Sequence, residues 1–315
     1  MLPEESGAVV CGREHPRFSK KDSLPNPNDS RVKTLSGWLA WAGRELEALG
    51  PEESRAGAER FLENITGLQR FELYLKASSL LSVSQVQKLK RFVARRKNRE
   101  PVSYILKKAS FWKQVLRVDA GCLIPRPETE ILVESFIRES GFKKQDSLGF
   151  LDLGCGSGAI GIALLDHFQK AQGCFADVSE EALRIARRNL ADGGWLERAV
   201  VRHSDFFEAF KKPPQRFDAV LSNPPYFAQE DWVEVEPEIF YEPRGAFDGG
   251  RDGLDFYRRF SAEAPAFLEE NGILALEVGA GQASKVSKFL QQSFGNIRIF
   301  KDHAGIERVI MAKKK

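Results

Sequence analysis

Residues 221–227 read LSNPPYF and close an apolar run, RFDAVL, that has the pattern of a buried strand. Asn223 is followed by two prolines and an aromatic, Tyr226. Each proline fixes its own φ at about −65° and lacks an N–H, and the first keeps Asn223 out of the helical region. The chain is therefore stiffened where a strand meets a loop. Asn223 offers one acceptor oxygen and two donor hydrogens. The carbonyl of Pro224 adds a second acceptor, fixed by the proline ring. Two converging acceptors suit a planar –NH2 group, gripping both hydrogens so that the nitrogen faces one direction, and an aromatic such as Tyr226 can cover the plane. Such a site aligns an amide or amino nitrogen with an electrophile. Alignment alone can supply on the order of 7–11 kcal/mol. The acceptors also stabilise positive charge growing on the nitrogen, an interaction strongest in the transition state. No metal and no nucleophilic side chain are needed. The plainer reading of NPPY is a rigid turn.

A second motif lies upstream. In GFLDLGCGSGAIGIALL an apolar strand runs through Gly154, Gly156 and Gly158 into a helix, which lets backbone approach a ligand with no Cβ in the way. The stretch also satisfies G-x-G-x-x-A, so by itself it leaves a nicotinamide cofactor and other nucleosides open. Asp177 ends the next strand, near the spacing expected for a carboxylate on ribose hydroxyls. Combined with a nitrogen-holding site, the cofactor that fits is S-adenosyl-L-methionine, whose sulfonium makes its methyl group electrophilic.

The elements that must position these motifs follow from the pattern around them. From about residue 147, strands alternate with helices: AQGCFADVSEEALRIARRNL, AVVRHSDFFEAF, RFDAVLSNPPYF and NGILALEVGAGQ continue the rhythm. That alternation implies a parallel sheet wound on both sides, with NPPY at the carboxyl end of the fourth strand beside the first, where such sheets bind ligands. NIRIFKDHAGIERVIMA reads as an antiparallel edge hairpin turning at Asp302 to Gly305.

Residues 34–100 are helical. Leu35, Trp38, Leu39, Ala42, Leu46 and Leu49 form one apolar face, and Ala58, Phe61, Leu62 and Ile65 another. Ser82 and Gln85 make a capping box. KLKRFVARRKNRE, dense in Lys and Arg, is read as a solvated helix face in preference to an RNA footprint. Residues 101–125 read as a β-hairpin linker turning at Gly121. In PRPETEILVESFI, Pro127 suits the first turn of a helix, with Glu128 and Glu130 at its positive end. Residues 229–255 are long for a connection, and the expectation is a lid that orders over substrate with Gly249, Gly250 and Gly253 as hinges. Residues 1–33 are polar and expected to be a loose tail.

The whole chain has 315 residues, net charge +3, and four scattered cysteines and four histidines with no metal-ligand spacing. No apolar run approaches the roughly 20 residues of a membrane span, and Glu4 and Glu5 do not suit a signal peptide. A cytoplasmic, monomeric protein with reduced thiols is expected.

At this point the chain resembles the methyltransferases that modify the glutamine side-chain amide of peptide chain release factors (the PrmC/HemK type). Beyond NPPY, the likeness rests on PVSYIL, LIPRPETEILVE, LDLGCGSGAIGIAL, ADVSEEAL, YEPRGAFDGGRDGLDFYRRF and AGIERVI, from about residue 35 to the end. IPRPETE is the most specific, since nucleic-acid amino-methyltransferases share NPPY without it. The resemblance implies a helical substrate-recognition domain, a hairpin linker, and over 126–315 a Rossmann-like S-adenosylmethionine-dependent methyltransferase domain of the α/β class. It implies that Gly154, Cys155, Gly156, Ser157 and Gly158 line the methionine end of the cofactor, that Asp177 binds its ribose, that Phe206 lies beside its adenine, and that Asn223 faces it. Asn223, Pro224, Pro225 and Tyr226 would receive the glutamine of a Gly-Gly-Gln loop. Two positions depart from the family: Lys107 stands where a Gly usually follows YIL, so a different turn is expected, and Phe206 stands where some members carry Trp. The competing readings are an adenine or guanine amino-methyltransferase, which would need a strongly basic groove, and a non-catalytic scaffold, which would not need both motifs intact.

Overall fold

The computed structural model describes residues 34–315. The tail expected over residues 1–33 lies outside the described residues. The chain divides into two compact units that meet between Lys90 and Arg91.

The first unit contains α1 (Leu35–Glu45), α2 (Pro51–Thr66), α3 (Arg70–Leu75) and the start of α4 (Val83–Lys97). Leu35, Ala42, Leu46, Ala58, Phe61 and Leu62 are buried as their spacing requires, and Trp41 is buried more deeply than Trp38. Ser82 and Gln85 exchange the two hydrogen bonds of the capping box. Glu59 on α2 is 1% exposed and accepts from Arg55, Arg70 and the Tyr74 hydroxyl, so three donors offset the cost of burying its charge.

Lys97 ends α4, and a short helix over PVSYIL, α5 (Val102–Leu106), precedes the hairpin β1 (Lys108–Phe111) and β2 (Gln114–Arg117). The hairpin turns at Trp112 and Lys113, not at Gly121. Trp112 takes a φ of +54° there. Lys107 caps α5 with a φ of +57°, in the left-handed region that glycine favours.

The second unit is built on a seven-stranded sheet of order β5-β4-β3-β6-β7-β9-β8. Its strands are β3 (Gly149–Leu153), β4 (Gln172–Asp177), β5 (Ala199–His203), β6 (Phe217–Ser222), β7 (Leu268–Glu277), β8 (Phe294–Lys301) and β9 (Glu307–Lys314). β3 to β7 pair in parallel, β9 joins antiparallel, and β8 forms the outer edge of the terminal hairpin. Side chains of α6 (Pro127–Glu139), α7 (Ala159–His167) and α8 (Glu180–Asp192) fill one face of the sheet with Phe150 and Phe175. Those of α9 (Asp255–Glu263) and α10 (Ala283–Leu290) fill the other with Leu151, Leu153 and Val220. β3 lies between β4 and β6, so the strand order reverses there, and the ends of β3 and β6 open a crevice.

Candidate active site

The carboxyl ends of β3, β4 and β6 surround a cavity of about 200 Å3 lined by Gly154, Gly156, Asp177, Phe206, Asn223 and Pro225, among others. Gly154, Gly156 and Gly158 all have left-handed φ, from +54° to +83°. A Cβ at Gly156 would meet no atom within 4 Å and would stand in open space. The loop spends its own donors: the N–H groups of Gly154 and Cys155 both reach the carbonyl of Ala176, and that of Gly156 reaches Asp177. Its contribution to a ligand is therefore room, more than hydrogen bonds. Cys155 and Ser157 are buried behind the loop, and Gly158 caps α7.

Asp177 accepts from the N–H groups of Gly156 and Ser179, one on each oxygen, which leaves each oxygen a further lone pair. Burial pushes its carboxyl above the ordinary range, against those hydrogen bonds. Phe206 is 3% exposed and has a φ of +56°, strain that a non-glycine residue keeps only where its surroundings hold it. The Arg259 guanidinium lies 4.3 Å from its ring centroid, and Phe256 and Phe260 meet it edge-on. A carboxylate with free lone pairs, an apolar aromatic wall and a glycine turn without Cβ atoms match a ribose, a base and a chain passing the strand end. The donor set fits a nucleoside.

Asn223 follows the last pair of the β6–β7 ladder, Ser222 with Leu276. Its Nδ2 donates to Thr129 Oγ1 on α6 at 3.0 Å. The IPRPETE helix is thus joined to NPPY. Pro224 is buried, and Pro225 lines the cavity. Tyr226 lines an adjoining open groove with Glu230, Asp231, Gln282 and Arg308. Burial lifts its phenol to about 12, so it is neutral.

Residues 229–255 hold three 3-10 turns and are pinned at both ends. Phe227 exchanges backbone hydrogen bonds with Phe247 and Gly249. Glu242, 7% exposed, accepts from the Ile124 N–H at 2.9 Å and from the Arg126 guanidinium. Pro243, Gly245 and Ala246 consequently form a wall of the cavity. The glycines expected as hinges are close-packing sites. A Cβ at Gly249 would lie 2.8 Å from Tyr226 Cα and 2.9 Å from the Pro225 carbonyl oxygen, and one at Gly253 would lie 2.4 Å from the Tyr226 carbonyl oxygen. They let this segment bear directly on the NPPY backbone.

The basic run that ends α4 is a solvated face only in part: Lys88, Arg91 and Arg95 are exposed, while Arg96 and Arg99 are tied down. Arg95 pairs with Glu100, Arg96 with Glu238 at 2.6 Å, and Arg99 with Glu236 and Glu238 at 2.7 Å. The Arg96 side chain is only 2% exposed. These charges hold the chain before Glu242 and explain why this end of the helix belongs with the second unit. The hairpin is likewise no mere linker: Asn189 on α8 bonds both Arg117 main-chain groups and the Ser157 carbonyl, tying β2 to the glycine loop. That contact brings Gly121, Cys122 and Leu123 to the cavity. Among the described residues, no helix is long and apolar enough to cross a membrane.

The profile of the methyltransferase small domain matches residues 127–250, and that of the PrmC N-terminal domain matches residues 37–106. The release factor glutamine methyltransferase of Caulobacter vibrioides is 36% identical over 89% of this chain and 96% of its own. That of Rhodospirillum rubrum is 38% identical over 88% of this chain and 83% of its own. A solved release-factor-specific protein-(glutamine-N5) methyltransferase from Alicyclobacillus acidocaldarius is 28% identical, covering 63% of this chain and 99% of that one, with a TM-score of 0.40. The likeness to the curated enzymes runs through the helical unit, the hairpin and the sheet alike, and the chain belongs to the release factor glutamine methyltransferase family.

Proposed function

We propose that this enzyme transfers a methyl group from S-adenosyl-L-methionine to the side-chain amide nitrogen of the glutamine in the Gly-Gly-Gln loop of peptide chain release factors. The observation that supports the reading most is the meeting, at the point where strand order reverses, of the NPPY segment with a cavity lined by Gly154, Gly156, Asp177, Phe206 and Asn223. Family membership supports the protein substrate. The cofactor would supply a methyl carbon activated by its sulfonium. Asp177 would hold the ribose, Phe206 and Phe256 would wall the base, and the Gly154–Gly158 turn would pass the methionine chain.

The remaining chemistry belongs to the protein. Asn223 Oδ1 and the Pro224 carbonyl accept the two amide hydrogens, so the nitrogen presents one face to the cavity. The nitrogen would become positive as it gains a bond to the methyl carbon, whose bond to the sulfonium sulfur breaks, and would then lose one hydrogen as a proton to solvent water. Carbonyl oxygens aimed at those hydrogens stabilise that charge where it develops. Pro225 excludes water on one side, and neutral Tyr226 bounds the substrate groove on the other. We further propose that the enzyme acts in the cytoplasm, as a monomer, without a stable nucleic-acid partner. Its free, buried Cys122, Cys155 and Cys174 suit a reducing compartment.

Asp177→Ala should weaken S-adenosylmethionine binding by roughly 1–3 kcal/mol, the cost of leaving partly buried hydroxyls unpaired. Titration calorimetry decides it, and an unchanged affinity would put the ribose elsewhere. The reaction itself is tested by incubating enzyme, cofactor and release factor and mapping the product by fragmentation mass spectrometry. A single methyl on the glutamine side-chain nitrogen is expected. A methyl on another residue type, or none, refutes the assignment.

A further inference from the structure

We infer that Asn189 and Arg184, both on α8, are positioning residues for the cofactor. The inference rests on the proposed placement of S-adenosyl-L-methionine in the cavity and deepens it. Neither side chain lines that cavity. Together they set two of its walls, the glycine turn and the linker loop over residues 119–123, which contributes Gly121, Cys122 and Leu123.

Asn189 is 3% exposed, with both donors and its oxygen engaged. Its Oδ1 accepts from the Arg117 N–H at 2.7 Å. Its Nδ2 donates to the Arg117 carbonyl at 3.1 Å and to the Ser157 carbonyl at 2.8 Å. An N–H needs an acceptor and a carbonyl needs a donor, so the amide can face only one way. The side chain pairs with Arg117 as a neighbouring strand would, and its remaining hydrogen holds the glycine turn. Among the described residues no main-chain hydrogen bond runs directly between the two walls, so Asn189 is the partner they share.

Arg184 acts on the loop itself. It donates to Asp119 Oδ2 at 2.8 Å, while Asp119 Oδ1 accepts from the Gly121 N–H at 2.9 Å. Ala182 and Ile185 of α8 pack with Val118, Cys122 and Ile124. A Cβ at Gly121 would lie 2.8 Å from Glu181 Cβ, so the loop sits flush on the helix. The same helix is capped by Ser179, whose N–H donates to Asp177, the carboxylate proposed for the ribose. One helix thus relates that carboxylate, the loop and the glycine turn. A fault in it shifts the walls against each other and removes no contact with the cofactor. A buried asparagine that merely satisfied main-chain groups would cost stability when lost and leave the affinity of the folded protein unchanged. Positioning predicts lost affinity.

The test uses the full chain and titration calorimetry with S-adenosylmethionine. Asn189→Leu keeps the volume and removes all three bonds. It should weaken binding roughly 10- to 100-fold, the scale of a group misplaced by about 1 Å. Arg184→Gln releases Asp119 and should weaken binding roughly two- to fivefold, no more than a half-exposed ion pair can transmit. The KM for the release factor should keep its wild-type value in both, because neither wall reaches the groove beside Tyr226. Wild-type cofactor affinity in folded Asn189→Leu or in Arg184→Gln would overturn the inference, as would an equal rise in the release-factor KM. Should Asn189→Leu fail to fold, Arg184→Gln decides alone. If the wild-type protein binds no S-adenosylmethionine, the functional reading falls. Hydrogen exchange in the free protein then decides the positioning claim: faster exchange at the Gly121 N–H in Arg184→Gln supports it, and unchanged exchange overturns it.

Discussion

Asn223→Ala should lower single-turnover methyl transfer by roughly 100- to 1,000-fold, the usual cost of removing one preorganised group aimed at developing charge. Cofactor affinity should change by less than about tenfold, the scale of one hydrogen bond. The two effects should separate because Asn223 only borders the cavity, whereas the proposed mechanism has its oxygen hold the substrate amide. The substitution also leaves the fold alone: β6 ends at Ser222, whose hydroxyl stays bonded to the Leu153 carbonyl at 2.6 Å. Turnover near the wild-type value with cofactor saturating would contradict the mechanism.

Glu242→Ala carries the largest expected cost in stability, about 2–4 kcal/mol. Breaking a buried ion pair costs roughly 3–5 kcal/mol when the remaining charge is trapped. Here the Arg126 side chain keeps 33% of its exposure and can turn to water, which reduces the figure. The Ile124 N–H, left without its acceptor, restores part of the loss. Glu242→Gln should recover some stability, because its oxygen can still accept from Ile124. Chemical denaturation of the three proteins measures this. A loss below about 1 kcal/mol for Glu242→Ala would mean that the segment is held by its other anchors, Arg96 and Arg99 with Glu236 and Glu238.

The parts of this fold that were legible from sequence are those with local causes. Ser179 caps α8 by accepting from the Ala182 N–H, Pro127 opens α6, and Asp302 organises the terminal hairpin turn through the N–H groups of Ala304 and Ile306. The strand–glycine–helix sequence and the strand ending in NPPY could be placed side by side because a doubly wound sheet leaves few orders open. What escaped depends on partners distant in sequence. Thr129 meets Asn223 across 94 positions, and Arg96 meets Glu238 across 142. Thr129 reads as an ordinary first-turn residue, and no periodicity marks it as a neighbour of Asn223. Gly249 and Gly253 looked like hinges because a sequence displays a missing Cβ but not the backbone that occupies its place. Trp112 takes a left-handed conformation that its residue type does not announce, so the place of the hairpin's turn was misread while the hairpin was not.

The measurement that bears most directly on the central claim offers the enzyme labelled S-adenosylmethionine with, in parallel, a release factor, total RNA and duplex DNA. Label is expected on the release factor alone, and none after the glutamine of its Gly-Gly-Gln loop is changed to asparagine. The shorter side chain withdraws the amide by one methylene, and a misplacement of about 1 Å can cost roughly 100-fold in rate. Transfer to the protein should also depend weakly on salt, since binding that neutralises several phosphates falls steeply as salt rises. Labelled nucleic acid beside an unlabelled release factor would contradict the account.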